Sequence, residues 1–144
     1  MYIFDLDGTL ADISHRLHYL NGENSDWDAF FAACPEDKPI NHVISIAHAL
    51  LRECMCVEIW TGRSEAVREQ TERWLGDQRI VYSKLRMRAD GDHRHDDIIK
   101  KEWLEERRKE GLADPVAVFE DRDSVVKMWR DSGVPCYQVA PGNF

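Results

Sequence analysis

The feature that most constrains this chain is an alternation. Short apolar runs ending at a carboxylate or hydroxyl residue recur between longer segments of helical periodicity. Tyr2-Ile3-Phe4 ends at Asp5 and a turn at Gly8. Val57 to Trp60 ends at Thr61. Val116 to Phe119, entered from Pro115, ends at Glu120. Ile80-Val81-Tyr82 and Cys136 to Val139 read as two further strands. Between them, Ile40, Val43, Ile44, Ala47, Leu50, Leu51 and Cys54 follow a helical spacing, with Pro39 suited to the helix start. Ser64 can cap a helix whose inner face is Val67, Thr71, Trp74 and Leu75, with Gly76 as its stop. Asp96 to Glu110 carries Ile99 and Trp103 one turn apart and is closed by Gly111. Asp123 can cap a last helix with Val125, Val126 and Trp129 inward, stopped by Gly133. Such alternation predicts an α/β fold, a doubly wound parallel sheet flanked by helices on both faces. Sheets of this kind place their sites beyond the carboxyl ends of the strands, so the residues just after each strand are where chemistry is expected.

The segment 11–39 breaks the alternation, and reads as a small insert of loop and short helices, a flap over the strand ends. At 144 residues the chain is expected to form a single domain, a bare core with that insert and no large cap. The net charge of −8, from 19 basic and 27 acidic residues, argues against a general electrostatic grip on nucleic acid or anionic membrane. No apolar run is long enough for a membrane span, and Met1 leads into Tyr2-Ile3-Phe4-Asp5 without a basic n-region or cleavage site, so a cytoplasmic location is expected. Cys34, Cys54, Cys56 and Cys136 lack paired C-x-x-C spacing. They are expected to be reduced, buried thiols, with Cys54 and Cys56 acting as small core hydrophobes.

The residues after the strands carry the chemistry. Asp5 and Asp7 of Asp5-Leu6-Asp7-Gly8-Thr9-Leu10 fall on one side of an extended backbone. Two carboxylates so close repel unless a cation sits nearby or one holds a proton. In isolation an acidic turn would look the same. Thr61-Gly62-Arg63 offers a hydroxyl, a bare amide and a guanidinium, a set suited to phosphate but also to an ordinary helix-entry turn. In Glu120-Asp121-Arg122-Asp123, one aspartate suffices for capping, which leaves spare carboxylates fit for a hard cation such as Mg²⁺. Lys100, alone on its helix, would ordinarily be solvated.

In order, D-x-D-G-T, T-G-R, K and E-D resemble the haloacid dehalogenase superfamily of phosphohydrolases over nearly the whole chain. The chain is further similar to the 3′-phosphatase domain of bacteriophage polynucleotide kinase. That likeness rests on Arg16 in the long spacer, Met87-Arg88, Arg94-His95-Asp96-Asp97-Ile98-Ile99-Lys100, and Asp121-Arg122 followed by Val125-Val126-Lys127-Met128-Trp129. No G-x-x-x-x-G-K-[ST] loop occurs in these residues, so no kinase half is expected among them. Glu120 stands where that family tends to carry a second aspartate.

The resemblance implies a Mg²⁺-dependent phosphomonoester hydrolase. Asp5 would be the nucleophile that forms an aspartyl-phosphate, and Asp7 the acid and base. Thr61, Gly62 and Lys100 would hold the phosphoryl oxygens. Asp5, Asp7 (through its main-chain carbonyl) and Asp121 would hold the metal, and Arg16, Arg63, Arg88 and Asp96 would meet the substrate. The substrate it implies is a 3′-phosphate end of nucleic acid, in end repair. Nothing in the sequence implies an obligatory protein partner. A phosphatase of free nucleotides or other small phosphomonoesters is the alternative, favoured by the acidic charge. The intact acids, threonine and lysine argue against a silent binding module. Lys84, Arg86, Arg88, His93, Arg94 and His95 form a locally basic stretch, which suits either a nucleic-acid backbone or a charged loop beside acidic neighbours.

Overall fold

The computed structural model describes residues 1–21 and 25–142. The first strand, β1 (Tyr2–Phe4), is followed by a short ribbon, β2 (Ala11–Asp12) paired antiparallel with β3 (Lys38–Pro39), which closes the base of the 11–39 segment. Between those ribbon strands run 3₁₀ turns at Ser14–Leu20 and Cys34–Glu36 and a short helix, α1 (Trp27–Ala32), whose N-terminus is capped by the Asp26 side chain. Then come α2 (Asn41–Arg52), β4 (Val57–Ser64), α3 (Arg68–Asp77), β5 (Lys84–Arg88), α4 (Asp96–Lys109), β6 (Ala117–Glu120), α5 (Asp123–Asp131) and β7 (Cys136–Gln138). Five strands form one parallel sheet in the order β5-β4-β1-β6-β7.

Alternation along the strands sends neighbouring side chains to opposite faces. Phe4, Ile59 and Phe119 enter one apolar cluster with Val43, Ala47, Trp74 and Leu75 from α2 and α3. Ile3, Trp60 and Val118 enter a second with Leu104, Val125 and Trp129 from α4 and α5. The sheet is therefore buried on both faces, and Tyr2–Phe4 and Ala117–Phe119 are apolar for that reason, while β4 also carries the buried polar residues Glu58, Thr61, Arg63 and Ser64.

Several sequence expectations shift. The third strand is Lys84–Arg88, not Ile80–Tyr82. Ile80 is buried, but its N–H closes the end of α3 on Leu75, where Arg79 turns the chain at φ +55°. The true strand lies at the sheet edge and alternates. Leu85 and Met87 face the first core, while the Arg86 guanidinium lies over the rings of Trp60 and Trp103 and pairs with Glu106. Gly76 lies within α3 rather than ending it. Pro39 belongs to β3, two residues before α2, and Asp123 is the first residue of α5, after Arg122. Cys34 and Cys136 are buried, but Cys54 and Cys56 are exposed, because α2 ends at Arg52 and Cys54 turns the chain at φ +58°. Among the described residues no helix is long and apolar enough to cross a membrane.

Candidate active site

The carboxyl ends of β1, β4 and β6 and the first turns of α4 meet at one place. Asp5 follows β1 directly, and its N–H donates to Phe119 across the sheet. Glu120 ends β6, and Asp121 follows it. Lys100 extends from α4 into this group and is buried, contrary to the ordinary solvated lysine. Its ammonium donates to Asp5 Oδ1 at 2.6 Å and to Glu120 Oε2 at 2.7 Å. Glu120 also accepts the N–H groups of Asp121 and Arg122 on its other oxygen, so it fixes both the lysine and the loop after β6.

Carboxylate oxygens of Asp5, Glu120 and Asp121 lie within 4.8 Å of one another. Three buried acids face one ammonium, and the excess negative charge shows in their protonation. Burial and the charge of Glu120 push Asp5 upward from the usual carboxylate range. Burial and Asp5 push Asp121 up to about 6, and burial raises Glu120. Burial alone would lower Lys100, but Asp5, Glu120 and Asp96 outweigh it and hold the ammonium charged. An all-oxygen, electron-rich donor set of this kind fits a hard divalent cation. Glu120 is already committed to Lys100 and two amides, so Asp5 and Asp121 are the carboxylates best placed to hold one. Thr9 donates to Asp121 at 3.4 Å. Gly8, at φ +81°, is required here, since a Cβ would run into the Asp121 carboxylate.

Asp7 points into a second network. Arg16 Nη2 donates to its Oδ1 at 2.8 Å and Arg63 Nε to the same oxygen at 2.7 Å. Burial would raise Asp7, but Arg63 and Arg16 outweigh it and hold its carboxyl below the usual range. Arg16 and Arg63 expose no side-chain surface, and both also bond to Asp37 Oδ2, at 2.7 and 2.5 Å. Asp37 further accepts from Arg16 Nε at 2.7 Å and lies 2.8 Å from His15 Nε2, while Trp74 Nε1 donates to its main-chain carbonyl. The Arg16 guanidinium lies 4.2 Å from the centroid of the Phe30 ring. One Arg63 nitrogen, Nη1, is buried with no hydrogen-bond partner.

Thr61-Gly62-Arg63 lies within the end of β4, not after it. The register with β5 slips between Thr61 and Ser64, a bulge that turns Arg63 inward. Thr61 Oγ1 accepts the Arg63 N–H at 3.2 Å. Above Gly62, Arg88 donates to its carbonyl at 2.8 Å and also pairs with Asp96, whose other oxygen accepts from Arg122 at 2.8 Å. A Cβ on Gly62 would come 2.7 Å from Asp96 Oδ1. The structure thus gathers Asp5, Asp121 and Lys100 at one centre, Asp7 with Arg16 and Arg63 beside it, and Arg88 with Asp96 at the β4–α4 junction.

Sequence reasoning passed over Asp37 and Arg122. Asp37 sits in Pro35-Glu36-Asp37-Lys38-Pro39, which reads as a polar turn, and only its insertion between two buried arginines distinguishes it. Within the basic stretch, Arg86, Arg88 and Arg94 are committed to carboxylates of Glu106, Asp96, Asp92 and Glu102.

A five-stranded parallel sheet flanked by helices is the fold of haloacid dehalogenase-like hydrolases. Solved structures share that fold at low identity. A class C acid phosphatase from Bacillus anthracis superposes with a TM-score of 0.69 at 16% identity, over 99% of this chain and 66% of that one. A hydrolase from Streptococcus pneumoniae does so with a TM-score of 0.62 at 14% identity, over 97% and 92%. These establish the fold alone.

The polynucleotide kinase PNKP phosphatase domain family matches residues 1–144, and the chain belongs to it: it is a phosphatase domain. A chain in the Pnkp1/Rnl/Hen1 RNA repair complex is similar with a TM-score of 0.82 and 35% identity, over 99% of this chain and 43% of that one. An Autographa californica nuclear polyhedrosis virus protein, named for bifunctional polynucleotide kinase/RNA ligase activity, is 28% identical over 132 residues. That match covers 91% of this chain and 18% of the viral protein, so the chain spans less than half of either relative.

Proposed function

We propose that this phosphatase removes the 3′-phosphate from polynucleotide ends through an aspartyl-phosphate on Asp5, with Mg²⁺ as cofactor. The observation that carries the reading is the convergence of Asp5, Asp121 and a buried, charged Lys100 at the ends of β1, β6 and α4. When bound between Asp5, Asp121 and the main-chain carbonyl of Asp7, Mg²⁺ supplies positive charge that offsets repulsion between the carboxylate and a dianionic phosphate. An Asp5 oxygen attacks phosphorus, and an acyl phosphate forms as the ester P–O bond breaks. Arg63 and Arg16 hold Asp7 ionised in the free protein, so it takes up a proton as the dianionic substrate binds, gives it to the leaving 3′-oxygen, and then takes one from the water that hydrolyses the intermediate. Arg16 and Arg63 both occupy Asp7 Oδ1, which leaves its second oxygen for the substrate. In this reading the two arginines act through Asp7 and Asp37 rather than by touching the substrate. Lys100, Thr61 and the Gly62 amide stabilise charge on the phosphoryl oxygens, and Arg88 and Asp96 hold Gly62 in place. The repair-complex relative favours an RNA end, within a larger repair assembly.

The pairing of Arg86, Arg88 and Arg94 with carboxylates, together with the net charge of −8, favours the second reading, a phosphatase of free nucleotides or small phosphomonoesters. One assay separates them. The protein with Mg²⁺ is given a 3′-phosphorylated oligonucleotide, 3′- and 5′-mononucleotides and a sugar phosphate. Preference for the oligonucleotide is expected, and preference for mononucleotides or the sugar phosphate establishes the second reading. Asp5→Asn is expected to abolish turnover with the fold intact by circular dichroism. Normal activity in that variant would remove Asp5 as nucleophile.

A further inference from the structure

A cleft of about 460 Å³ opens beside Gly8, and the proposed mechanism leaves it unused. One wall is Ile40 with His42 at the start of α2, and the other is Val139 and Ala140, just after β7. Each wall hangs on one of the acid-bearing loops. The Ile40 N–H donates to Leu10 at 2.8 Å, at the end of the Asp5–Leu10 loop. The Val139 N–H donates to Glu120 at 2.9 Å, one residue before Asp121. Gly8 itself follows Asp7 and touches the Asp121 carboxylate so closely that it cannot carry a Cβ. Gly8, part of the lining, therefore lies one residue from the proposed acid and against the proposed metal ligand.

The character of the lining decides what it suits. Among the described residues its lining includes no lysine or arginine, and its carboxylate, Asp12, accepts from the Ser14 amide at 2.9 Å and lies in the field of Lys38, its partner in the ribbon. A second phosphate would meet that carboxylate and no lysine or arginine of the lining. An uncharged, partly flat group would find aliphatic walls at Ile40 and Val139 and a polar edge at His42. The group attached to the oxygen that Asp7 protonates is of that kind in a nucleoside 3′-phosphate. We propose that this cleft seats the terminal nucleoside of the substrate, its base between Ile40 and Val139, and so sets the preference for nucleoside over simple alkyl phosphates. This rests on the reading of Asp5 and Asp7 given above. It also resolves a conflict of charge, because an acidic chain can select a nucleic-acid end through its uncharged part.

The test uses two variants outside the acid cluster, Ala140→Trp, which fills the cleft, and His42→Ala, which trims its polar edge. Values of kcat/KM are measured for a 3′-phosphorylated oligonucleotide, a nucleoside 3′-monophosphate and glycerol phosphate. Apolar burial of one face of a base, about 60 Å² at roughly 25 cal/mol per Å², corresponds to about tenfold in binding. A loss of about that size, carried in KM, is expected for both nucleoside substrates in at least one variant, with glycerol phosphate changed less than about twofold. If neither variant discriminates, whether because all substrates lose alike or none loses, the cleft does not seat the nucleoside. Failure of the polynucleotide reading shows separately, as wild-type protein that ignores the oligonucleotide, and the mononucleotide arm still decides the cleft.

Discussion

Asp37→Asn removes one negative charge from a buried group of four. Arg16 and Arg63 carry two positive charges with no exposed side-chain surface, balanced by Asp37, also without exposed surface, and by Asp7, which is 19% exposed. The substitution leaves Asp7 alone against both guanidiniums. It also turns an amide N–H₂ toward donors that now meet carboxylate oxygens at 2.5–2.8 Å. Breaking a buried ion pair from one side costs about 3–5 kcal/mol, a large part of the roughly 5–15 kcal/mol that holds a typical domain folded. For a urea slope near 2 kcal/mol/M the unfolding midpoint should fall by roughly 2 M. The double variant Arg16→Met with Asp37→Leu leaves the neutral pair Asp7–Arg63 and should recover at least half of that loss. Equilibrium unfolding in urea of wild type, Asp37→Asn, the single variants Arg16→Met and Asp37→Leu, and their double variant closes the cycle. A single-variant loss below about 1 kcal/mol, or a double-variant loss equal to the sum of the singles, would refute the account of Asp37 as the charge that balances two buried arginines.

Two further outcomes are expected. Gly8→Ala forces an L-residue into φ +81° and drives its Cβ into the Asp121 carboxylate, so stability should fall by about 1–3 kcal/mol and phosphatase turnover should collapse. Thermal unfolding and a phosphate-release assay check both, and wild-type turnover would show that the approach of Gly8 to Asp121 is not needed. In metal-free protein, Asp121 and Asp5 titrate higher when folded than when unfolded, so the native state binds more protons above the ordinary carboxylate range. Stability should therefore decline as pH rises from about 4 through about 6 and beyond, and Mg²⁺ at neutral pH should restore it. Urea midpoints across that range, with chelator and with Mg²⁺, measure this, and a midpoint that rises with pH in chelator would contradict it.

Local pattern carried most of the layered fold. The runs at Tyr2–Phe4 and Ala117–Phe119 are apolar, and Val57–Trp60 is so apart from Glu58, because those strands are covered on both faces, so their burial is written in their composition. Asp5, Asp7, Thr61 and Asp121 were legible along the chain for a similar reason, whereas Lys100, on a helix, was singled out only by the family resemblance. Sites on such sheets collect at strand ends, and strand ends can be counted in one dimension.

Pairwise encounters between distant segments were not legible. The edge strand Lys84–Arg88 looks like a charged loop until Trp60 and Trp103 are seen to cover Arg86. Asp37 looks like a turn residue until Arg16 and Arg63 close on it from 21 and 26 positions away. A buried charge is stable only beside its opposite, and a linear pattern records the type of each charge but not its partner. The amino-acid sequence by itself determined the strand–helix alternation, the central strands of the sheet and the acids that follow them. Only the tertiary structure decided that Lys100 is buried between Asp5 and Glu120, and that Asp7 is held by two arginines sharing Asp37. Those facts depend on distances between strand ends and the insert, and such distances exist only once the chain has packed.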